Sequence, residues 1–380
     1  MSDIYYGHGT KEQFDDYMDF INYVFGFNGN QNDFKKLLPK LYKVEYQPAY
    51  HAVNAINDGR FLAAIGTYDA GATVCGVELK SRGIGNVAVH PYHRGKGYMK
   101  KCLHMAIDEM IADGVDYSSL GGQRQRYNYF SYDKVGTTYA VHFTATNLRH
   151  AFGTEKTDVK MVEVRALDQH YLEQIRQMYS LGDFVPARKD EMLYDILCSW
   201  EARPYVFIKD DEVVGYCVLK DTHMTETYAI RPALLVDFVR AAMEQRSKLK
   251  VSLSPWQEEY IGALAPLCDD ISIVCNHMFT VLNFRRVIYA FMLLKRTYAA
   301  LPDGEMRVLI HGRAGDEQLK ISVQKGEITV ENTEQPVDRE LDHLEAMRYF
   351  FANVSETRAG DALAKAWFPL PICELSADAI

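Results

Sequence analysis

Val87-Ala88-Val89-His90-Pro91-Tyr92-His93-Arg94-Gly95-Lys96-Gly97-Tyr98 puts three kinds of sequence end to end. A β-branched run stops at His90-Pro91, a basic turn spaced by glycines follows, and a helical pattern opens at Tyr98 and runs to Gly114. The backbone N–H groups of a glycine-rich turn, together with those of a helix N-terminus, make an anion site. Arg94 and Lys96 add positive charge, and Gly95 and Gly97 let the backbone approach a ligand closely. Strand, basic glycine turn and helix are therefore the layout of a phosphate cradle. It is not a Walker loop, because no Gly-Lys-Ser/Thr stands at the required spacing. It is not a dinucleotide fingerprint either, because the third glycine and a downstream ribose acid are missing.

Outward from the cradle, the helix carries apolar Met99, Cys102, Leu103, Ala106, Ile107, Met110 and Ile111 and stops at Gly114. Tyr117-Ser118-Ser119-Leu120 reads as the strand that completes a βαβ unit. Upstream, His51–Ile56 and Phe61–Tyr68 flank the hairpin turn Asn57-Asp58-Gly59-Arg60, and Val74–Leu79 and Gly85–Val89 continue an antiparallel meander. Two helices precede the strands, at 11–25 and 34–41, placed to roof a site. Asp15, Asp16 and Asp19 on the first either face a cationic acceptor or form a solvated face. Ala140–Thr144 reads as the last strand of this unit.

The same coarse order recurs after Lys160. Met161–Arg165 is a strand and Tyr171–Tyr179 a helix. Pro204–Ile208 and Val213–Leu219 form a hairpin around Lys209-Asp210-Asp211-Glu212, followed by strand Thr225–Ile230 and helix Ala233–Glu244. Arg231-Pro232-Ala233 stands where a second cradle would be. A third unit begins near Thr280, with a helix containing Leu282–Leu294, strands at Met306–His311, Gln318–Gln324 and Glu327–Glu331, and helices at Leu341–Phe351 and Gly360–Ala366.

The chain of 380 residues is 48% hydrophobic and 24% charged, which fits two or three ordinary globular domains. A net charge of -9 argues against a nucleic-acid footprint and suits a cationic partner. Seven cysteines without a C-x-x-C pair are expected as free thiols in the cytoplasm. The opening Met1–Tyr6 lacks the basic and apolar regions of a signal peptide, and no apolar run reaches the ~18–20 residues of a membrane span, so no membrane role is expected. His90 and His93 have no further ligands at motif spacing, so no metal is expected. No serine elbow or cysteine nucleophile signature is present.

Tyr92-His93-Arg94-Gly95-Lys96-Gly97 resembles the Gln/Arg-x-x-Gly-x-Gly/Ala motif of the GNAT acetyltransferases, with Tyr92 departing at the first position. The order of units is similar to the Eis-like (enhanced intracellular survival) acetyltransferases. The fold implied is α/β (α+β): a GNAT-like domain at 1–150, a second GNAT-like domain without the pyrophosphate motif at 151–280, and a sterol-carrier-like domain at 281–380. The resemblance implies an acetyl-CoA site at Val87, Ala88, Val89, Arg94, Gly95, Lys96, Gly97 and Tyr98, one per chain. Phe130-Ser131-Tyr132 matches the family's Phe-Gly-Tyr segment, which makes Tyr132 the implied general acid; Tyr127 and Tyr129 are the neighbouring alternatives. The C-terminal carboxylate, here that of Ile380, is implied as the group that helps deprotonate the acceptor. The activity implied is direct acetyl transfer, through a tetrahedral intermediate, to a primary amine: an aminoglycoside-like or polyamine-like molecule, or a lysine. A homo-oligomer built from trimers, up to a hexamer, is implied as well. The alternatives are a non-catalytic acyl-CoA or lipid-binding module and a peptidoglycan-type aminoacyl transferase.

Overall fold

The computed structural model describes residues 3–27, 29, 33–275 and 277–380. Its architecture is mixed α/β, with three sheets. The first has eight strands. Along it lie Tyr5–His8, Ala52–Asn57, Arg60–Val74, Val77–Val89, Tyr117–Leu120, Met278–Val281 and Asp133–Lys134, and Phe184–Pro186 pairs with Arg60–Val74. The second runs Asp270–Val274, Thr138–Thr144, Lys248–Leu253, His223–Ala229, Glu212–Lys220, Arg203–Lys209, Lys160–Glu163. The third runs Glu327–Asn332, Gly315–Gln324, Gly304–Gly312, Arg339–Asp342. Among the described residues, no helix is long and apolar enough to cross a membrane.

Turn chemistry sets the meander. Asp58 and Gly59 have φ of 48° and 75°, so both central residues of the first hairpin are left-handed, as a two-residue primed turn requires. Cys75 and Gly76 repeat this at 46° and 82°. That corrects the expected strand Val74–Leu79: the β-branched flanks hide a turn, and the chain reverses at Cys75-Gly76 between Arg60–Val74 and Val77–Val89. Asp210 and Asp211, at 52° and 62°, close the hairpin of the second sheet.

The sheets exchange strands. Ala140–Thr144, expected to end the first unit, belongs to the strand Thr138–Thr144, which pairs instead with Lys248–Leu253 and Asp270–Val274 in the second sheet. Met278–Val281 returns to the first sheet between Tyr117–Leu120 and Asp133–Lys134, so Thr280 lies in a strand before the third unit's helix begins. Alternation of apolar residues decides which face of a strand is buried, but not which sheet receives it.

The helix Phe284–Arg296 buries Phe284, Val287, Ile288, Phe291, Met292 and Leu294. One core holds these residues with Val74, Leu79 and Tyr117 of the first sheet and Val308, Ile310, Leu319 and Ile321 of the third. A helix apolar around so much of its circumference packs between two layers. His343 ties the same layers together. Its Nδ1 accepts from the Arg313 N–H at 2.9 Å, which leaves Nε2 to donate to Thr280 Oγ1 at 2.9 Å. Burial lowers its pKa to about 4. The unfolded chain, near 6.5, therefore takes up a proton first as pH falls. Stability fully present above about 6.5 is lost between there and about 4, by on the order of 3 kcal/mol. Urea unfolding across pH 7 to 4 is expected to show that loss, and His343→Asn to flatten it; identical profiles would remove His343 as a cause.

Candidate active site

The helix Tyr98–Ala112 starts at Gly97, whose φ of 81° is left-handed, as is that of Gly95 at 79°. L-residues with a Cβ adopt that region rarely, which accounts for glycine at both positions. Among the described residues no side chain caps the helix, which leaves its first N–H groups open to a ligand. Arg94 and Lys96 are exposed. Among the described residues, no ion pair engages Arg94, Lys96, Lys100 or Arg126. A cleft of about 650 Å³ runs from this turn between Val87, Val89 and Met99 on one side and Arg126 and Phe130 on the other, with Val24 and Phe25 as a third wall. Tyr92 does not line this cleft. It is 76% exposed, and its ring meets Phe27 edge-on at 6.2 Å.

The central strand Val77–Val89 opens the cleft. It pairs in parallel with Tyr117–Leu120 only from Ser81 to Ile84, and beyond that the two strands part. Asn86, at φ 47°, falls where the register with Arg60–Val74 shifts, which bends the strand at the parting. From Val87 to Val89 the edge that faced Tyr117–Leu120 has no strand on it. Its main-chain groups are available to an extended ligand, as in strand addition. Ala88 contributes only main chain there, since its side chain is buried against the N-terminal helices.

Tyr132 is fully buried and donates to Ser118 Oγ at 2.7 Å. Ser118 in turn donates to the Arg82 carbonyl of the central strand at 2.6 Å. Burial raises the phenol's pKa, so it holds its proton across neutral pH. Ser131 takes the left-handed φ of 68° where the resembling motif has glycine, and Asn128 Nδ2 donates to the Tyr132 carbonyl at 2.7 Å. These two features aim the ring inward. Tyr129 is 62% exposed, and Tyr127 is buried beside Gly122.

The chain's end enters the same place. The Ile380 side chain lies over Gly83 and Gly85, where a Cβ would overlap it. A Cβ on Gly85 would stand 3.7 Å from the Ile380 carboxyl carbon. The pattern Gly83-x-Gly85 puts both glycines on one face of the strand and leaves a furrow. That spacing is the sequence signal that marks the tail's seat. Next to Ile380, one cluster holds the buried rings of Tyr17, Tyr42 and Tyr68. The hydroxyl of Tyr68 donates to that of Tyr42 at 3.5 Å. Tyr17 Oη and Asn86 Nδ2 are buried without a hydrogen-bond partner among the described residues. Such orphans are costly in a sealed core and are satisfied when a polar molecule enters.

The second sheet repeats the parting of strands, then fills it. His223–Ala229 and Lys248–Leu253 are parallel at only two register positions, His223↔Lys250 and Met224↔Val251. Tyr260, on the helix Glu258–Leu264, places its hydroxyl 2.9 Å from Ala229 N and 2.8 Å from Ala229 O, and Gln257 donates to the Thr227 carbonyl at 3.3 Å. Main-chain groups equivalent to the free edge of the first sheet are thus already paired. A residual cleft of about 430 Å³ beside them is lined by Glu226, Glu258, Glu259, Glu374 and Trp256, with no Lys or Arg in its wall.

Residues 6–140 match the family model described as an acetyltransferase (GNAT) domain, a family that normally takes its acyl group from acyl-CoA. Whole-chain likeness extends to solved structures. A probable N-acyltransferase of unknown function from Enterococcus faecalis V583 is 14% identical over 99% of this chain and 98% of that one, with a TM-score of 0.69. A GCN5-related N-acetyltransferase from Kribbella flavida is 17% identical over 96% of each chain, at 0.66. Eis1 from Mycobacterium abscessus is 13% identical over 98% of each chain, at 0.61. At these identities the likeness is one of fold, and it spans the whole chain. No curated protein matches the sequence.

Proposed function

We propose that the protein is an N-acetyltransferase that binds acetyl-CoA at Val87–Val89 and Arg94–Tyr98 and transfers the acetyl group to a primary amine. The observation that carries this is a convergence. The Tyr132–Ser118 pair and the terminal carboxylate of Ile380 both reach the segment Arg82–Gly85, at the point where the central strand parts from its neighbour. In this scheme the amine nitrogen attacks the thioester carbonyl and its proton passes to the Ile380 carboxylate. The C–S bond breaks, and Tyr132 gives a proton to the departing thiolate. No covalent enzyme intermediate is needed.

The division proposed is a catalytic GNAT-like unit at 1–150, a GNAT-like unit at 151–280 and a sterol-carrier-like unit at 281–380, with strands exchanged between the first two. The plugged cleft of the second sheet supports one acetyl-CoA site per chain. A cationic acceptor is supported by the acid-lined cleft, which opens on Glu374. That carboxylate accepts from Ser119 Oγ at 2.9 Å, next to Ser118. By contrast, Asp15, Asp16 and Asp19 are exposed. A trimer-based homo-oligomer in the cytoplasm completes the proposal.

Purified protein given acetyl-CoA is expected to release free thiol with polyamines, aminoglycosides or lysine peptides, and to yield products heavier by one acetyl group. Tight acetyl-CoA binding without thiol release above background across that panel would instead identify a binding module.

A further inference from the structure

Residues Ala377–Ala379 are held from three elements distant in sequence. Lys40, buried after the short helix Phe34–Leu37, donates through Nζ to the carbonyls of Ala377 at 2.7 Å and Ala379 at 2.8 Å. Arg188, 1% exposed, makes paired hydrogen bonds to both oxygens of Asp378 at 2.7–2.8 Å and to both of Glu226 at 2.7–2.9 Å. Tyr216 Oη donates to Glu226 at 2.7 Å, so that carboxylate is itself fixed. Trp200 donates from its indole nitrogen to the Ala379 carbonyl at 2.9 Å.

None of these holds comes cheaply. Burial lowers Lys40 to about 8, against the pull of Asp378 and Glu374. A guanidinium out of water is costly unless its hydrogen bonds are matched. Trp200 and Glu201 both sit at left-handed φ, 61° and 64°, an unfavourable conformation for residues with a side chain. Strain at Trp200 aims the indole at one carbonyl in the last two residues of the chain. Lys40 and Arg188 stand against Glu226, Asp378 and Glu374.

We infer that Lys40, Arg188 and Trp200 are positioning residues, holding the tail so that the terminal carboxylate of Ile380 meets the central strand. On this view the second unit, its own cleft plugged by Tyr260, serves the first by supplying Arg188, Glu226 and Trp200. The inference rests on the proposed use of that carboxylate in acetyl transfer.

The test uses full-length Lys40→Met, which keeps the stem and removes the donors, and Trp200→Phe, which removes the indole N–H and keeps a smaller aromatic ring. Arg188→Lys is the conservative third variant. Two readouts are taken: trimming of the intact protein by carboxypeptidase, followed by mass, and the split of kcat against KM. Each of the first two variants is expected to lose Ile380 and Ala379 at least tenfold faster than wild type. Each is expected to show kcat lowered at least tenfold, with acetyl-CoA affinity within about twofold. Unchanged trimming would overturn the hold. Faster trimming with unchanged kcat would overturn positioning. A wild-type protein that is inactive with every amine would defeat the functional proposal, and the positioning role with it, whatever the trimming rates.

Discussion

Addition of two glycines after Ile380 is expected to lower kcat/KM for the amine by about 10²-fold or more, the usual scale for losing a general base, while acetyl-CoA affinity stays within about twofold. Each added residue carries the carboxylate about 3.8 Å further along the chain. The seat has no slack to take it up. Ile380 fills the furrow over Gly83 and Gly85, and the two carbonyls before it are fixed by Lys40 and Trp200. An extended chain must either bulge out of the furrow or displace its last turn, and in both cases the carboxylate leaves the parting of the strands. The same two glycines at the N-terminus control for a general effect. Gly85→Ala approaches the question from the other side, since its Cβ competes with the Ile380 side chain for the same space. It should weaken turnover without touching the cradle. A C-terminally extended enzyme that turns over at the wild-type rate would show that another group takes the proton.

The cradle was legible in the sequence because its parts are contiguous: strand end, basic glycine turn and helix start follow one another within a dozen residues, and each has a local physical signature. The hairpins at Asp58-Gly59 and Asp210-Asp211 were legible for the same reason. Apart from the local turn at Cys75-Gly76, what failed was non-local. Ala140–Thr144 read as a strand and Met278–Val281 did not; which sheet each joins depends on pairing with residues far along the chain. The four-residue strand Arg339–Asp342, between polar turns, left no periodicity to read. Tail recognition was the least visible part. Lys40, Arg188 and Trp200 are single residues without a motif, brought together only by the folded chain, and Trp200 acts through a backbone conformation that its side-chain chemistry does not announce.

Tyr132→Phe is expected to slow turnover by about 10²-fold, within the range that a positioned general acid contributes, and to spare acetyl-CoA binding, because it removes only a hydroxyl and the ring is not part of the cleft lining. The substitution removes one hydroxyl from a closed chain of two hydrogen bonds. Ser118 keeps its donation to the Arg82 carbonyl but loses the phenol's proton at its own oxygen. A stability loss of roughly 1 kcal/mol should accompany the change, small enough that the variant remains folded and the rate effect can be read. Tyr129→Phe provides the contrast: its ring is largely in solvent, beside Lys100 and His104, and turnover should stay near wild type. The pH dependence adds a separate check. Burial raises the pKa of Tyr132 above the ordinary phenol value, so the proton needed by the leaving thiolate is retained through pH 7 to 9. Any alkaline fall of kcat in that window must therefore come from another group and must persist in Tyr132→Phe. If thiol release by Tyr132→Phe equals that of wild type, the proton reaches the thiolate by another route, and buried Tyr127 becomes the phenol to replace next.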